Sequence, residues 1–449
     1  MQSNIIILAA GLGTRMGGKL PKAQMALAGK PMIDHLIDKI IPLNPQSITI
    51  VLAPSMQDFR QYLADTYPML DFSIQEKPLG TAHAVKAALP LNHQDEAGSV
   101  IILYGDSPFI PSDLIENLHH QVDKAQNALC VAGFETPNPQ GYGRLLMDKD
   151  GFLQAIIEEK EADENIKAIM QCNSGVMAFH RPIMPAIISS INNNNRKQEY
   201  YLTDSVTIAR QQAHKISVIF AQENLLQGID NPLALAKAQD DWQHQRRQAF
   251  MREGVQMQAP QSVYFHHDTK IAAGTSIEPN VVFGAKVEIT GSAHIRAFSH
   301  LEGCIIEEGA IIGPYARIRP DSHIQSNARI GNFVEVKNTQ FGQYAKANHL
   351  SYVGDAMIGT KANIGAGVIT CNYDGFNKHQ THIEEGVFVG SNAALVAPIT
   401  IKKGAMVGAG STLTHDVPED ALAISRTPQK ILAGFAAKFK NKFKNLSKK

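Results

Sequence analysis

The chain has 449 residues, which allows two or three domains that are each large enough to bury a core. Its 42 Lys and Arg balance 42 Asp and Glu, which argues against a protein that binds nucleic acid with its whole surface. The longest apolar runs are far shorter than the roughly 20 residues of a membrane span, and no basic segment opens the sequence. We therefore expect a cytoplasmic protein that neither spans a membrane nor binds nucleic acid.

The cysteines are few, widely separated and without a C-x-x-C pair. They are Cys130, Cys172, Cys304 and Cys371. This spacing predicts reduced thiols rather than a disulfide framework or a structural zinc site.

Strand-like and helix-like segments alternate up to about residue 225. In chain order they are NIIILAA from Asn4, a helix over 32–41, SITIVLA from Ser47, a helix over 58–63, SVIILYG from Ser99, a helix over 112–125, and NALCVAGF from Asn127. Alternation of this kind predicts a mostly parallel, Rossmann-like α/β sheet. Ligands of such sheets bind at the carboxyl ends of the strands.

From residue 271 the period of the apolar residues changes to six. The series is Ile271, Ile277, Phe283, Ile289, Ile295, Leu301, Ile306, Ile312, Ile318, Ile324, Ile330 and Val336, and it resumes at Val389, Leu395, Ile401, Val407 and Leu413. Hexapeptide repeats predict a parallel β-helix, here of the left-handed type, with each apolar residue pointing inward. The repeat is expected to break between Phe341 and Phe388, where binding loops would be inserted.

These two periods define the domain organisation. We predict an α/β domain over 1–228, a linker helix over 229–254 and a β-helix domain over 255–449. The linker has Pro232 at its expected first turn and Gly254 near its end. The last twelve residues contain six lysines, among them Lys448 and Lys449, and are expected to form a solvated, partly disordered tail.

A glycine-rich loop follows the first strand, in the segment LAAGLGTRMGGKLPK that begins at Leu8. Gly11 and Gly13 would let backbone N–H groups face a phosphate, and positive charge would come from nearby side chains. Those side chains are Arg15, Lys19 and Lys22. The pattern indicates a triphosphate-binding loop, with a purely structural glycine turn as the alternative.

Two familiar nucleotide-binding motifs do not fit this loop. Met16 stands where a dinucleotide fingerprint has its third glycine. Gly13 to Lys19 matches G-x-x-x-x-G-K, but Leu20 replaces the hydroxyl residue that would hold magnesium in a P-loop ATPase.

The segment YGDSP places Asp106 directly after an apolar strand. A carboxylate at the carboxyl end of a strand is suited to a hard cation, although a turn-capping role is more common for a single Asp. Further polar or glycine positions along the same domain could contact a base, a ribose and a sugar. These are Gln75, Gly80, Thr81, Gly143, Glu158 and Asn173.

At this point a resemblance covers nearly the whole chain. In the first half it is carried by LAAGLGTRM, Pro21-Lys22, LAGKPM, EKPLGTAHA, LYGDSP, GYGR, IIEEKEA, CNSGV and EYYLTD. In the second half it is carried by GPYARIRP, GNFVEVKN, NHLSYVGDA, NIGAGVITCNYDG and ALAISR. The sequence resembles the bifunctional bacterial UDP-N-acetylglucosamine pyrophosphorylase/glucosamine-1-phosphate N-acetyltransferases.

For the first half, the resemblance implies that Arg15 and Lys22 stabilise charge on transferring phosphates and that magnesium binds Asp106. It also implies a set of residues that bind the uridine nucleotide and the amino-sugar phosphate. These are Leu8, Ala9, Gly11, Gly13, Lys22, Gln75, Gly80, Thr81, Tyr104, Gly143, Glu158, Asn173 and Asp230.

The sequence departs from the family pattern at two places. The family's second metal ligand is the Asn of a G-V-N segment, whereas this chain has Gly228-Ile229-Asp230-Asn231, so either Asp230 or Asn231 would be the ligand. The family's first loop continues with Val-Leu-His after Pro-Lys, and this chain has Ala23-Gln24-Met25. An additional carboxylate at position 230 is compatible with magnesium.

For the second half, the resemblance implies an acetyltransferase site with His349 as the general base and Glu335 as a residue that orients or polarises it. A neutral imidazole can take the proton of an amine that attacks a thioester. Residues implied to hold the sugar phosphate and acetyl-CoA are Arg319, Lys337, Tyr352, Asn363, Ala366, Asn372, Tyr373, Ser391, Ala409 and Arg426. Coils of this type are expected to associate as a homotrimer with sites between chains.

The predicted function is the synthesis of UDP-N-acetylglucosamine in two steps. Acetyl-CoA acetylates glucosamine 1-phosphate, and the resulting N-acetylglucosamine 1-phosphate then reacts with UTP and Mg²⁺, releasing pyrophosphate. Two alternatives remain: transferases with a different sugar or base specificity, and a regulatory subunit of the same architecture. The hypothesis of a regulatory subunit predicts the loss of Arg15, Lys22 and Asp106, and all three are present.

Overall fold

The computed structural model describes residues 1–18, 20–90, 98–123 and 127–446. Lys19, the end of the helix expected over 112–125, and Lys448 and Lys449 lie outside the described residues. The chain divides into two compact units, Met1–Trp242 and Gln243–Lys449. This division falls inside a single helix, α9 (Pro232–Arg252), which begins at Pro232 as expected of a proline in the first turn.

The first unit is an α/β unit built on a nine-stranded sheet and a small separate hairpin. Its strands are β1 (Ser3–Leu8), β2 (Ala26–Leu27), β3 (Lys30–Pro31), β4 (Ser47–Leu52), β5 (Asp71–Ile74), β6 (Ser99–Tyr104), β7 (Leu129–Glu135), β8 (Arg144–Met147), β9 (Leu153–Ile157), β10 (Gln171–His180) and β11 (Ile216–Phe220). Its other helices are α1 (Met32–Ile40), α2 (Gln57–Thr66), α3 (Thr81–Ala87), α4 (Ser112–Asp123), α5 (Glu164–Lys167), α6 (Met184–Ser190), α7 (Asp204–Gln211) and α8 (Glu223–Leu226).

The main sheet has the order β11-β7-β10-β6-β1-β4-β5. Most neighbours are parallel, as the alternating pattern predicts, but β10 runs antiparallel to both β6 and β7, so the sheet is mixed. Residues of β1 alternate between two core clusters, with Ile5 and Ile7 in one and Ile6 and Leu8 in the other. Because both faces are covered, Ile5 to Leu8 form a continuous apolar run.

The second unit is a parallel β-helix with three faces, each a ladder of short parallel strands. The first face contains β12 (Gln256–Met257), β14 (Ser276–Ile277), β17 (His294–Ile295), β20 (Ile311–Ile312), β23 (Arg329–Asn332), β25 (Lys346–His349), β27 (Asn363–Ile364), β30 (Phe388–Val389), β33 (Met406–Val407) and β35 (Leu422–Ala423). The second face contains β15 (Val282–Phe283), β18 (His300–Leu301), β21 (Arg317–Ile318), β28 (Ile369–Cys371), β31 (Ala394–Val396) and β34 (Thr412–Leu413).

The third face completes each coil. It contains β13 (Lys270–Ile271), β16 (Glu288–Ile289), β19 (Cys304–Ile306), β22 (Ser322–Ile324), β29 (Thr381–Ile383) and β32 (Ile399–Ile401). Two longer strands, β24 (Glu335–Phe341) and β26 (Tyr352–Ile358), contribute to the second face with their first residues and to the third face with their last.

The six-residue apolar series is buried along its whole length, so its predicted inward orientation agrees with the structure. The expected break between Phe341 and Phe388 is wrong for most of that segment. The coils continue through it, with Ala347, Val353, Ile364 and Thr370 in buried inward positions. Ala347 is small and Thr370 is polar, so the six-residue apolar period is not visible in the sequence at these positions. A single insertion remains, between β28 and β29.

The segment after residue 430 forms α10 (Phe435–Leu446), so the expectation of a partly disordered tail is wrong for these residues. No helix among the described residues is long and apolar enough to cross a membrane. All four cysteines are free, as expected. Burial raises the pKa of Cys130 and of Cys304 to about 12, which keeps these two thiols protonated.

Candidate active sites

A cavity of about 710 Å³ opens at the carboxyl ends of β1 and β6 in the first unit. Twelve of the residues expected in the nucleotidyl-transfer site line it: Leu8, Ala9, Gly11, Arg15, Lys22, Gln75, Gly80, Thr81, Tyr104, Asp106, Glu158 and Asn173. Leu8, Tyr104 and Asp106 meet there because the parallel neighbours β1 and β6 end at the same edge of the sheet. Gly13, Gly143 and Asp230 are not part of its lining.

The glycine loop combines one open position with one tight turn. A methyl group built on Gly11 would meet no atom within 4 Å, so this wall of the cavity leaves room for a ligand. Gly13 has a φ of +68°, and a methyl group there would lie 2.8 Å from the carbonyl oxygen of Leu20. Gly13 is therefore required by the turn itself, which brings Lys22 N within 3.1 Å of Gly11 O.

Two ion pairs connect this glycine loop to other segments of the chain. Lys22 Nζ pairs with the carboxylate of Asp106, and both side chains are about four-fifths buried. Arg15 pairs with Asp230, and its side chain is 77 % exposed. The pairs link the loop after β1 to the end of β6 and to the segment before α9, so residues far apart in the sequence meet at one site.

The segment before α9 separates the roles of Asp230 and Asn231. Asn231 Oδ1 accepts a hydrogen bond from Ala234 N at 2.9 Å, which is an N-cap of α9. Asp230 instead turns its carboxylate to Arg15. The backbone of the same segment lies against Asp106, because Ile229 N donates to Asp106 O at 3.0 Å.

Gln75, Gly80 and Thr81 form one connected corner of the cavity. Gln75 is 8 % exposed, and its Nε2 donates to Gly80 O at 3.0 Å. Gly80 has a φ of +105° and lies so close to the backbone of Tyr200 that no side chain fits. Thr81 Oγ1 accepts from Leu202 N at 3.0 Å. The corner is thus held rigidly by its own contacts.

Glu158 and Asn173 line another part of the cavity, and Gly143 lies directly behind them. Asn173 N donates to Gly143 O at 2.9 Å, and a methyl group on Gly143 would meet Asn173 and Glu158. Burial raises the pKa of Glu158, and a hydrogen bond from Thr203 Oγ1 at 3.3 Å opposes that rise. Burial also holds the pKa of Tyr104 far above its usual range, so this phenol stays uncharged at neutral pH.

Several further residues line the cavity that the sequence analysis did not name. They include Arg196, Lys197, Tyr201 and Thr203. Tyr201 and Thr203 belong to the EYYLTD motif, so that motif could have indicated them as residues of the site. Arg196 and Lys197 lie in a polar segment without any periodic pattern, and only the fold brings them to the cavity.

In the second unit, four of the expected residues form a column along the corner between the first and second faces. They are His349, Ala366, Ser391 and Ala409. The column follows from the backbone: Gly367 N donates to His349 O, Asn392 N to Ala366 O, and Gly410 N to Ser391 O. Arg426 extends it, because its guanidinium donates to Ala409 O at 2.5 Å.

His349 ends β25 and is exposed to solvent. Its Nδ1 atom lies 2.7 Å from Oδ1 of Asn332, the residue that pairs with it on the preceding coil. When Nδ1–H donates to this amide oxygen, which can only accept, the lone pair of Nε2 is available. Contrary to the expectation that His349 lies in a loop that breaks the repeat, it stands on a regular coil.

Glu335 does not orient His349, and this expectation is corrected. Its Oε1 accepts from Arg319 Nη1 at 2.8 Å on the second face. The register of β24 places Glu335 beside Tyr352 and Lys337 beside Gly354. Glu335 therefore neutralises part of a cationic surface, and Asn332 is the residue that contacts the His349 ring.

A cationic group lies on the second face, next to the column. Lys378, which the sequence analysis missed, lowers the pKa of Lys337, and Arg319 adds to the effect. Asn372 is buried and donates to the Asp355 carboxylate, which Asn338 also contacts at 2.6 Å. Tyr373 is exposed in the insertion after β28. Asn363 lies on the first face, between Lys346 and Phe388 in the ladder.

The two units and their sites define a transferase with a nucleotidyltransferase unit and a hexapeptide acyltransferase unit. The MobA-like NTP transferase domain matches residues 5–175. The bacterial transferase hexapeptide (six repeats) matches residues 303–338, and the hexapeptide repeat of succinyl-transferase matches residues 380–415.

Curated relatives extend this similarity to nearly the whole chain. The bifunctional protein GlmU of Caulobacter vibrioides is 46 % identical over 435 residues, which cover 97 % of this chain and 94 % of the relative. Its counterpart from Zymomonas mobilis is 42 % identical over 446 residues, or 98 % of both chains. That of Jannaschia sp. is 43 % identical over 440 residues, or 98 % and 96 %. The chain belongs to the GlmU family of bifunctional proteins.

Proposed function

We propose that this GlmU-family enzyme makes UDP-N-acetylglucosamine in two steps, one on each unit. The second unit transfers the acetyl group of acetyl-CoA to glucosamine 1-phosphate. The first unit transfers the uridylyl group of UTP to N-acetylglucosamine 1-phosphate and releases pyrophosphate. The observation that carries the proposal is the presence, in one chain, of a phosphate-loop cavity and of a histidine with a free Nε2 at the head of a small-residue column.

In uridylyl transfer, an oxygen of the sugar 1-phosphate attacks the α-phosphorus of UTP, and pyrophosphate leaves in line. Such a reaction needs positioning and charge neutralisation more than covalent help from the protein. Arg15 and Lys22 neutralise phosphate oxygens at the loop. Gln75, Gly80 and Thr81 hold the base, while Glu158 and Asn173 with Gly143 hold the amino sugar.

Asp106 and Asp230 would hold a magnesium ion, and the donor chemistry of the site fits it. Both are carboxylates, the ligand type that Mg²⁺ prefers, and Asp230 follows a segment that is hydrogen bonded to Asp106. Asn231 is engaged as a helix cap, which favours Asp230 as the second ligand. When bound, the ion neutralises charge on phosphate oxygens.

In acetyl transfer, the amine of glucosamine 1-phosphate attacks the thioester carbonyl carbon. A C–N bond forms, the C–S bond breaks, and the coenzyme leaves as its thiol after protonation. His349 Nε2 takes the proton that the amine loses, because Asn332 holds the other ring nitrogen in its protonated form. Lys337, Lys378 and Arg319 supply the positive charge for the sugar phosphate.

The column supports the placement of acetyl-CoA. Small residues leave the corner open, and successive coils are spaced by about 4.8 Å, so the column offers an extended track that ends at Arg426. The guanidinium suits a phosphate of the coenzyme. We place Ser391, Ala409 and Tyr373 along this track, with Asn363, Asn372 and Tyr352 toward the sugar. We further propose that the enzyme is cytoplasmic and forms a homotrimer.

The test is an assay of the full chain with glucosamine 1-phosphate, acetyl-CoA, UTP and Mg²⁺. Thiol release and pyrophosphate release are followed separately. We expect thiol release with glucosamine 1-phosphate and acetyl-CoA in the absence of UTP, and pyrophosphate release from UTP only after acetylation or with supplied N-acetylglucosamine 1-phosphate. Galactosamine 1-phosphate, and CTP in place of UTP, serve as matched substrates. A faster reaction with either one would overturn the assigned specificity, and inactivity with all of them would favour a regulatory subunit.

A further inference from the structure

Helix α10 presents a row of aromatic side chains to solvent. Phe435, Phe439 and Phe443 are spaced by four residues and are 55 %, 53 % and 52 % exposed. Their ring centroids are 6.2 Å and 4.7 Å apart along the helix. Two more apolar side chains precede the helix, Ile431 and Leu432, at 79 % and 56 % exposure. The helix therefore carries a continuous apolar stripe.

Lysines border this stripe on both edges. At about 100° per residue, Lys438 and Lys442 fall on one edge, and Lys440 and Lys444 fall on the other. The sequence after Asp420 contains no carboxylate side chain, although the chain as a whole has equal numbers of acidic and basic residues. Positive charge is thus concentrated where the apolar stripe is exposed.

We propose that α10 binds the surface of an anionic lipid bilayer. An interfacial helix buries an aromatic or aliphatic face at the headgroup boundary and keeps lysines at the polar level. The flanking lysines of α10 can extend their ammonium groups toward lipid phosphates while their methylene chains cover the edge of the stripe. The three phenylalanines supply the buried area, and the lysines select negative charge.

The charge pattern favours a membrane over the α10 helix of a second copy of the chain. Two α10 helices that paired through their stripes would bring four lysines of one helix against four lysines of the other, and neither helix contains an Asp or a Glu. A neutral bilayer would satisfy the phenylalanines but not the lysines. Anionic lipid satisfies both.

The expected binding is weak and reversible. The helix has 12 residues and spans about 18 Å, so it buries only a few side chains in the interface. Attraction between lysines and anionic lipid decays within a Debye length of about 8 Å at physiological salt. Binding should therefore fall steeply as salt is added, whereas binding through a purely apolar contact should not.

The first experiment is cosedimentation of the full chain with two kinds of vesicle. One contains phosphatidylcholine alone, and the other contains roughly 30 % phosphatidylglycerol in addition, which makes its surface anionic. We expect binding to the mixed vesicles only. The quadruple variant Lys438→Gln, Lys440→Gln, Lys442→Gln, Lys444→Gln should bind these vesicles more weakly, by about fivefold in affinity for each lysine removed. The double variant Phe439→Ser, Phe443→Ser should lose at least about tenfold.

Matched controls lie in the same chain. Leu233→Ser removes a side chain of α9 that is 82 % exposed, and Lys361→Gln with Lys402→Gln removes exposed lysines of the second unit. None of these should change vesicle binding. Both enzymatic activities, measured without vesicles, should be unchanged in the α10 variants, which also shows that the variants are folded.

A second experiment locates the helix in the bilayer. Trp242 is the single tryptophan of the chain, so Phe439→Trp in a Trp242→Phe background reports on α10 alone. Its emission should shift to shorter wavelength with anionic vesicles and should be quenched by brominated lipid. Equal binding to neutral vesicles, or binding unaffected by the α10 variants, would overturn the proposal. So would a loss of oligomers in the phenylalanine variant without any vesicle binding, because a second copy would then be the occupant.

Discussion

His349 Nδ1 lies 2.7 Å from Asn332 Oδ1, one coil earlier on the same face of the β-helix. A ring in which Nδ1–H donates to the amide oxygen has Nε2 as its basic nitrogen. The imidazole is thus prepared to accept a proton without any carboxylate partner. The two residues are 17 positions apart, which is one coil of the β-helix, so Asn332 lies beside His349 on the preceding coil.

His349→Ala should lower the rate of acetyl transfer by about 10² to 10⁴-fold, with the KM values little changed, because the amine loses its proton acceptor. Uridylyl transfer from supplied N-acetylglucosamine 1-phosphate should be unaffected. Thiol release and pyrophosphate release, followed separately, measure the two effects. Normal acetyl transfer in the variant would place the base elsewhere.

Asn332→Leu tests the positioning role of the amide. The kcat for acetyl transfer should fall by about tenfold while KM is retained, because the ring can then rotate and change tautomer. Asn332→Asp should restore much of the activity, since a carboxylate also accepts from Nδ1–H. Gln343→Leu removes an exposed amide of the same unit and serves as the control. A purely structural role for Asn332 would leave the pH profile unchanged and would not be rescued by Asp.

Asp106→Ala should abolish pyrophosphate release and leave thiol release nearly intact, because the magnesium ion would lose a protein ligand and Lys22 loses its partner. Asp106→Asn, which keeps the size of the side chain, provides a second variant in case the first is unstable. Asp150→Ala, at an exposed position, is the control. Pyrophosphate release at the normal rate in both variants would contradict the assignment.

Asp230→Ala should raise the magnesium concentration needed for half-maximal uridylyl transfer, and Asp230→Asn should be milder because an amide oxygen still coordinates. Asn231→Ala should instead lower the free energy of unfolding by about 1 kcal/mol, since it removes the N-cap of α9. Magnesium titration and urea unfolding separate the two effects. The assignment is reversed if Asn231→Ala, and not Asp230→Ala, changes the magnesium requirement.

Lys39 predicts a pH-dependent stability. Burial lowers its pKa from 10.5 to about 8, while its Nζ donates to Pro108 O at 2.9 Å. Between about pH 8 and pH 10.5 the unfolded chain binds more protons than the folded chain, so the free energy of unfolding should rise with pH. Relative to Lys39→Met, the wild type should gain roughly 1 kcal/mol per pH unit from pH 8 upward. Urea unfolding measures this gain, and Lys149→Met, at an exposed position, should behave as the wild type.

Much of the architecture could be predicted because its signals are local. Alternating apolar runs indicate an α/β sheet, and an apolar residue at every sixth position indicates a β-helix, whatever the rest of the chain does. The period failed as a guide only where Ala347 and Thr370 occupy inward positions, because a small or polar residue gives no apolar signal. Strand β10 was also missed as an antiparallel member of the sheet, since strand direction depends on connections and not on composition.

The partners of the reactive groups could not be read from the sequence. Asp230 meets Arg15 across 215 positions, and His349 meets Asn332 rather than Glu335, which lies closer in sequence but on another face. Residue types and motifs determine which chemistry is available, because a carboxylate or an imidazole has its properties wherever it lies. Which groups contact one another depends on coil length, sheet order and burial, and those are properties of the folded chain as a whole.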